Sequence, residues 1–482
     1  MVRELRSFPV VKEIILYQSP EGTNKDILGI SKRYSESITS GALLNKVISQ
    51  CNSPYLIVIA EPAIIELGSF SLQRLVQTAE DVGASLVYSH FYRVRVNERI
   101  PNPVIPYQAG SIRDDFEFGP LLLFSVESVK EAFRQYGPLD ENPFTGLYEL
   151  RLKAASQDEQ SMPFCLKEYL YTVIESSGNK KDTWLFDYVD PRNRKFQLAM
   201  ENTATAHLKR VGAYLSPHFD FIPEDTAVYP VIASIIIPVR NRKVTIGDAV
   251  KSALYQKTDF SFNVIVVDNL STDGTTSLLQ NIAQKDSHLI HIVPQDNEPL
   301  GIGGCWFRAV LSPHCGKFAV QLDSDDLYAD EHTLQKIIDL FSQGPYAMII
   351  GSYMTVDFNL NEIPPGVIDH REWTDGNGRN NALRIHGLGA PRAFRTFLLR
   401  NIGIPNVSYG EDYFLGLTIS RRYAIGRIYE PLYLCRRWQD NTDASLSVEK
   451  QNAFNTYKDT LRTVEIRARQ KLNRTGNKSN TE

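Results

Sequence analysis

Between residues 229 and 447, short apolar runs alternate with stretches of helical period, and the runs stop at polar or acidic clusters. Ser234-Ile235-Ile236-Ile237-Pro238 is a continuous apolar run closed by a proline, as a strand buried on both faces would be. Thr245 to Gln256 then places Ile246, Ala249, Val250, Ala253 and Leu254 at helical spacing. Asn263 to Val267 is a second buried strand and ends at Asp268. A turn cluster, Ser271-Thr272-Asp273-Gly274, opens a helix from about Thr276 to Ala283. His288 to Val293 and Lys317 to Leu322 supply two more strands. This rhythm predicts an α/β fold with a doubly wound, mostly parallel sheet. In such sheets ligands sit beyond the carboxyl ends of the strands, where Asp268 and Asp323 to Asp326 fall.

The rest of the chain excludes several classes. It has 482 residues, 43% hydrophobic and 22% charged, enough for two to four domains of ordinary globular composition. A net charge of −4 and the lack of a basic run give no footprint for nucleic acid. Five scattered cysteines without CxxC spacing suit free thiols in a reducing compartment. The first residues carry no cleavage pattern, and no apolar run approaches the ~20 residues of a membrane helix. A cytoplasmic protein is expected, one that meets the inner face of the membrane peripherally if its acceptor is lipid-linked.

The chain also repeats itself. NSPYLIVIAEPAIIE (Asn52 to Glu66) follows the pattern of HCGKFAVQLDSDDLYAD (His314 to Asp330). GASLVYSHFYRVRVNERIPNPVI (Gly83 to Ile105) follows YAMIIGSYMTVDFNLNEIPPGVI (Tyr346 to Ile368), and YGPLDENPFTGLYELRLKA (Tyr136 to Ala154) follows VSYGEDYFLGLTISRRYA (Val407 to Ala424). Three matches in one order, at similar offsets, mark residues 9–176 as a diverged copy of residues 229–447 without its opening strand–helix unit. Residues 190–215 are expected to be a linker helix through which the copy packs on the second domain. Residues 448–473 are expected to be a C-terminal helix, with a polar tail beyond.

The strongest chemical signal is Asp323-Ser324-Asp325-Asp326 at a strand end. Carboxylates two apart can offer oxygen ligands to Mg²⁺ or Mn²⁺; the bland alternative is a solvated turn capping the next helix. With "SIIIPVRNR" (Ser234 to Arg242), "VIVVDNLSTDGT" (Val264 to Thr275) and "YGEDYFLGL" (Tyr409 to Leu417), the set resembles glycosyltransferase family 2, whose fold is called GT-A. The resemblance implies an inverting transfer from a nucleoside-diphosphate sugar, with UDP the expected nucleotide, to a glycan or glycolipid acceptor.

It also implies roles. Pro238, Val239 and Arg240 would meet the nucleotide, and Asp268 would hold its base. Asp323 would lie near ribose and metal, and Asp325 would be the direct ligand of Mn²⁺ or Mg²⁺. Asp412 would be the general base, with Glu411 orienting it or the acceptor; an N-cap is the structural alternative for Asp412. Arg384 and His386 are weaker candidates for sugar contact, and Gly301 to Gly304 for approach to the pyrophosphate. Relatives carry a metal-binding histidine where this chain has Trp438. In the copy, Glu61, Ala63 and Asn142 align with Asp323, Asp325 and Asp412, which predicts a silent domain. A two-site polysaccharide polymerase and a non-catalytic sugar-nucleotide scaffold are the alternatives.

Overall fold

The structure is a computed structural model that describes Leu5 and residues 8–18, 31–34, 37, 39–59, 64–95, 98–156, 161–174, 193–295, 300–438 and 446–479. The chain divides into two compact units, residues 1–214 with 447–482, and residues 215–446. Among the described residues no helix is long and apolar enough to cross a membrane. All five cysteines are free.

The first unit begins with a separate parallel pair, β1 (Ile15–Gln18) and β2 (Ser31–Tyr34), followed by α1 (Gly41–Gln50). Its main sheet contains β3 (Tyr55–Ile59), β4 (Ile64–Leu67), β5 (Leu86–Arg95), β6 (Glu98–Asn102), β7 (Leu121–Ser125) and β8 (Phe164–Ile174). Helices α2 (Ser71–Val82), α3 (Val126–Tyr136), α4 (Gly146–Ala154) and α5 (Arg194–Arg210) complete this part of the chain. The core gathers Leu86, Val87, Tyr88 and Phe91 of β5 with Leu121 to Phe124 of β7 and Leu72 and Leu75 of α2. Residues 193–211, expected to link domains, thus form a helix of this unit, with Met200, Ala204 and Leu208 buried.

The second unit opens as the sequence implies. β9 (Ala233–Val239), α6 (Ile246–Leu254), β10 (Phe262–Asp268), α7 (Thr275–Ala283) and β11 (Leu289–Ile292) alternate, and the three strands pair in parallel. β9 is buried from Ala233 to Ile237 because it lies between β10 and β12 (Phe318–Gln321). α6 covers the sheet with Ile246, Ala249, Val250 and Ala253, the helical stripe expected of it. After α8 (Ile302–Leu311) and β12 come β13 (Leu327–Tyr328), α9 (Thr333–Gln343), β14 (Tyr346–Val356) and β15 (Glu362–Ile368). Then follow α10 (Gly378–Asn381), β16 (Arg392–Arg395), α11 (Thr396–Ile402), α12 (Glu411–Ser420) and β17 (Ala424–Arg436). The last helix, α13 (Val448–Ser479), belongs to the first unit and runs past Asn473, whose amide donates to the carbonyls of Gly212 and Tyr214.

The strand order of the second unit is β11-β10-β9-β12-β16-β14-β17-β13, with β15 on β14. The sheet is not mostly parallel. β16 runs antiparallel to both β12 and β14, and β13 and β15 are antiparallel to their neighbours. A run buried on both faces reads the same in either direction, so periodicity carried no information about the sense of β16. In the first unit only β5 and β8 pair in parallel within the main sheet.

The two sheets share a plan. β3-β7-β5-β8-β4, with β6 on β5, has the order of β12-β16-β14-β17-β13, with β15 on β14. Each pairing keeps its sense. Register agrees too: Val87 lies opposite Phe164 as Ile349 lies opposite Gly426, and the parallel ladders are interrupted on either side of His90 and of Ser352. Strands in the place of β9, β10 and β11 are absent from the smaller sheet among the described residues.

Candidate functional site

Three loops at the strand ends are tied to one another by side chains. After β9, Arg242 N–H donates to Thr275 Oγ1 at 3.0 Å and Lys243 N–H to Asp273 Oδ2 at 3.0 Å, which fixes the β9–α6 loop on the start of α7. Asn269 then clasps Leu300 through both backbone groups, at 2.5 and 2.9 Å. Of the residues expected to meet a nucleotide, Val239 is buried, Pro238 half-buried and Arg240 exposed.

Asp268 is fully buried. Its carboxylate accepts bonds from Ser271 N–H at 3.2 Å and Thr276 Oγ1 at 2.5 Å, and His291 Nε2 lies 3.4 Å away. Burial alone would raise its pKa, but nearby His291 and the bonds from Ser271 and Thr276 outweigh that and hold it at about 2. These bonds fix the β10–α7 turn.

Beyond β12 the acidic residues diverge. Asp323 takes two bonds from Gln321 Nε2, both 3.0 Å, while its backbone N–H donates to the Tyr433 hydroxyl at 2.9 Å. Asp326 turns inward and accepts the Arg436 N–H at 2.8 Å. Asp325 Oδ2 receives the Trp438 indole N–H at 3.3 Å and faces Arg242 Nε at 3.9 Å. Burial raises the pKa of Asp323 and Asp326, with the neighbouring carboxylates adding to the effect. Among the described residues no group of three His, Cys, Asp or Glu could hold a metal ion. What the site offers a cation is therefore the carboxylates of Asp323 and Asp325, an all-oxygen set suited to a hard divalent ion.

Glu411 and Asp412 are the first two residues of α12, entered through Gly410 in the left-handed region at φ 85°. Asp412 Oδ2 is ion-paired with Arg392 Nη1, which also donates to Gly389 O at 3.2 Å. Glu411 Oε2 is buried and has no hydrogen-bond partner. Burial, and then the charge of Asp412, push Glu411 up to about 8. At neutral pH Glu411 therefore keeps its proton beside the Asp412–Arg392 ion pair.

Of the two weaker candidates, Arg384 is 1% exposed and donates from Nε to Asn381 Oδ1 at 2.8 Å. His386 stays half-buried. Gly301 to Gly304 serve packing: Gly301 N–H bonds Asn406 Oδ1 at 2.7 Å and Gly303 N–H bonds Val407 O at 2.9 Å. A Cβ on Gly303 would fall 2.0 Å from Pro405 O, so backbone of this chain fills the space the glycines clear.

The residues missed by the sequence are Arg242 and Arg392. Arg242 closes the quoted SIIIPVRNR motif, and its guanidinium lies 5.7 Å from the Trp438 ring. Arg392 lies in the same glycine-rich stretch as Arg384, and spacing does not tell which arginine the core takes.

Residues 234–403 match the model for glycosyl transferase family 2, a span that stops short of Glu411 and Asp412. An uncharacterized glycosyltransferase of Rickettsia felis is 26% identical over 202 residues, 41% of this chain and 32% of that protein. One from Haemophilus influenzae is 28% identical over 133 residues, 27% of this chain and 51% of that protein. The chain thus spans between a third and a half of the length of these relatives. Among solved structures, S. aureus TarS 1-349 in complex with UDP-GlcNAc has a TM-score of 0.38 at 21% identity, covering 49% of this chain and 72% of that one. Mannosyltransferase PcManGT from Pyrobaculum calidifontis, in complex with GDP-Man and Mn²⁺, has a TM-score of 0.33 at 17% identity, covering 56% and 83%. Residues 234–403, within the second unit, are thus similar to a glycosyltransferase domain of family 2.

Proposed function

We propose that the second unit transfers a sugar from a nucleoside-diphosphate donor, UDP-linked, to a hydroxyl of a glycan or glycolipid acceptor, with inversion. The observation that carries this is the division of labour among the carboxylates. Asp323 and Asp325 lie beyond β12, whereas Asp412 is ion-paired with Arg392 at the start of α12, beside a protonated Glu411. Asp412 takes the proton of the acceptor hydroxyl while the new bond to the anomeric carbon forms. The bond from that carbon to the diphosphate breaks, and its electron pair leaves with the nucleotide. Glu411 keeps its proton and orients the acceptor. Asp323 and Asp325 would hold Mn²⁺ or Mg²⁺, which would neutralise charge on the leaving diphosphate. Trp438, standing where relatives place a histidine, leaves the remaining coordination to diphosphate and water.

The first unit is a silent repeat of the second. Support comes from the shared strand order, pairing sense and register, and from Asn142 in the place of Asp412. Glu61 and Ala63 lie outside the described residues. A two-site polymerase would need a base in the first unit, and asparagine cannot serve as one. The test is transfer and donor hydrolysis with a panel of nucleoside-diphosphate sugars, with Mn²⁺ and with chelator. Asp412→Asn should cost ~10²–10⁴-fold in rate without loss of donor binding. Undiminished turnover in chelator would remove the cation, and undiminished turnover in Asp412→Asn would move the base.

A further inference from the structure

Arg392 stands on the strand that enters between β12 and β14, and three carboxylates act on it: Asp412, Asp323 and Glu411. It is therefore close to both halves of the proposed site, the DxD strand end and the start of α12. Its side chain is 16% exposed. The bonds it makes, to Asp412 and to Gly389 O, use Nη1 alone. Nε and Nη2 are neither buried nor hydrogen-bonded to the described residues, so part of a planar five-donor fork is open to a ligand.

We infer that Arg392 binds the diphosphate of the donor, and that in doing so it leaves Asp412. The inference rests on the nucleotide-sugar reading above and adds a step to it. A diphosphate carries more charge than one carboxylate and matches the guanidinium fork with paired oxygens, so it outcompetes Asp412 for the same donors. While paired with Arg392, Asp412 is a poor proton acceptor, since the neighbouring cation favours its ionised form. Transfer of the guanidinium to the diphosphate removes that restraint once the donor is in place. Asp412, released from Arg392, then takes the proton of the acceptor hydroxyl, and donor binding precedes productive acceptor binding. Arg392 is thus a donor-binding residue that also positions the base.

The exchange has a thermodynamic signature. Asp412 and the diphosphate compete for one guanidinium, so removing the carboxylate must tighten nucleotide binding, and only through Arg392. The measurement is calorimetric titration of the full chain with UDP, GDP, dTDP and ADP in Mn²⁺, with thermal melting as the check on folding. Arg392→Gln should weaken the nucleoside diphosphate that wild type binds by about 10- to 100-fold. Arg392→Lys, which keeps the charge but not the fork, should fall between. Asp412→Asn should bind the same nucleotide several-fold more tightly, and Arg392→Gln/Asp412→Asn should lose that gain. Unchanged affinity in folded Arg392→Gln would overturn the assignment. So would an Asp412→Asn that binds no tighter, or one whose gain persists in the double variant; the last would mean simple relief of charge. Should Arg392→Gln fail to fold, Arg392→Lys and Asp412→Asn decide the matter. If wild type binds none of the four nucleotides, the donor reading itself fails and the exchange falls with it; if it binds one and the variants do not differ, only the exchange fails.

Discussion

Asp325 accepts the indole N–H of Trp438 and faces the guanidinium of Arg242 at 3.9 Å. Replacing it removes half of the carboxylates that could hold a cation but leaves β12, Asp323 and the core beneath intact. Asp325→Ala should therefore abolish Mn²⁺-dependent turnover and leave the melting temperature within a few degrees of wild type. Circular dichroism melts beside a donor-hydrolysis assay check both halves. A variant that keeps metal-dependent activity would place the ligand elsewhere. At this scale the motifs gave the position of a residue in its element, as with Asp323 and Asp325 beyond β12 and Asp412 at the start of α12. The sequence was not legible where the role depends on a long side chain's direction. Arg384 and Arg392 sit eight positions apart in one glycine-rich stretch, yet one is sealed in the core and the other pairs with the proposed base. Asp268 stands at the strand end the motif gives it, where it also accepts bonds from the turn that follows.

Among the elements, α13 and α5 show how the first unit is held together by buried charge. Asp459 on α13 is fully buried and accepts from Ser111 at 2.9 Å, Arg113 at 3.3 Å and Arg462 at 2.8 Å; both arginines are at most 2% exposed. Gly110 lets the helix come this close, since a Cβ there would lie 2.2 Å from Asp459 O. Asp459→Ala would take a buried carboxylate partner from both arginines, Arg113 keeping Asp115, a loss of about 3–5 kcal/mol. Urea unfolding of the variant measures it; a change under 1 kcal/mol would mean the arginines find other partners. On α5, His207 is buried against Ser156 Oγ at 3.3 Å, and burial, with help from Arg210 and Arg151, lowers its pKa to about 3. Unfolded, it would titrate near ~6.5. Between those values the unfolded chain binds the extra proton, so stability contributed by neutral His207 is complete above pH ~6.5 and is lost as pH falls toward 3. The melting temperature of wild type should fall more steeply between pH 7 and pH 5 than that of His207→Gln. Parallel slopes would place a charged histidine in the fold.

For the molecule as a whole, the proposed repeat rests in sequence on apolar runs that recur in one order at similar offsets. Its sheet plan was not visible, since neither pairing sense nor register is written in periodicity. The agreement between the ladders, down to interruptions around His90 and Ser352, is what gives the silent-repeat proposal its weight. It also makes Asn142 the decisive position. In the second unit the aligned aspartate opens α12 and pairs with an arginine. Asn142 instead shapes a turn: its Oδ1 accepts from Phe144 N–H at 2.9 Å, its N–H donates to Asp140 Oδ1 at 3.0 Å, and its carbonyl accepts from Gly41 N–H at 3.1 Å. Two of these bonds are made by the backbone and survive truncation of the side chain. Asn142→Ala should therefore cost only the one exposed bond, about 0.5–1.5 kcal/mol, and leave the transfer rate of the full chain unchanged. The pair of measurements is turnover and urea unfolding on the same preparation. Loss of transfer by orders of magnitude with stability retained would give the first unit a working part in the reaction, and the two-site polymerase would become the better account.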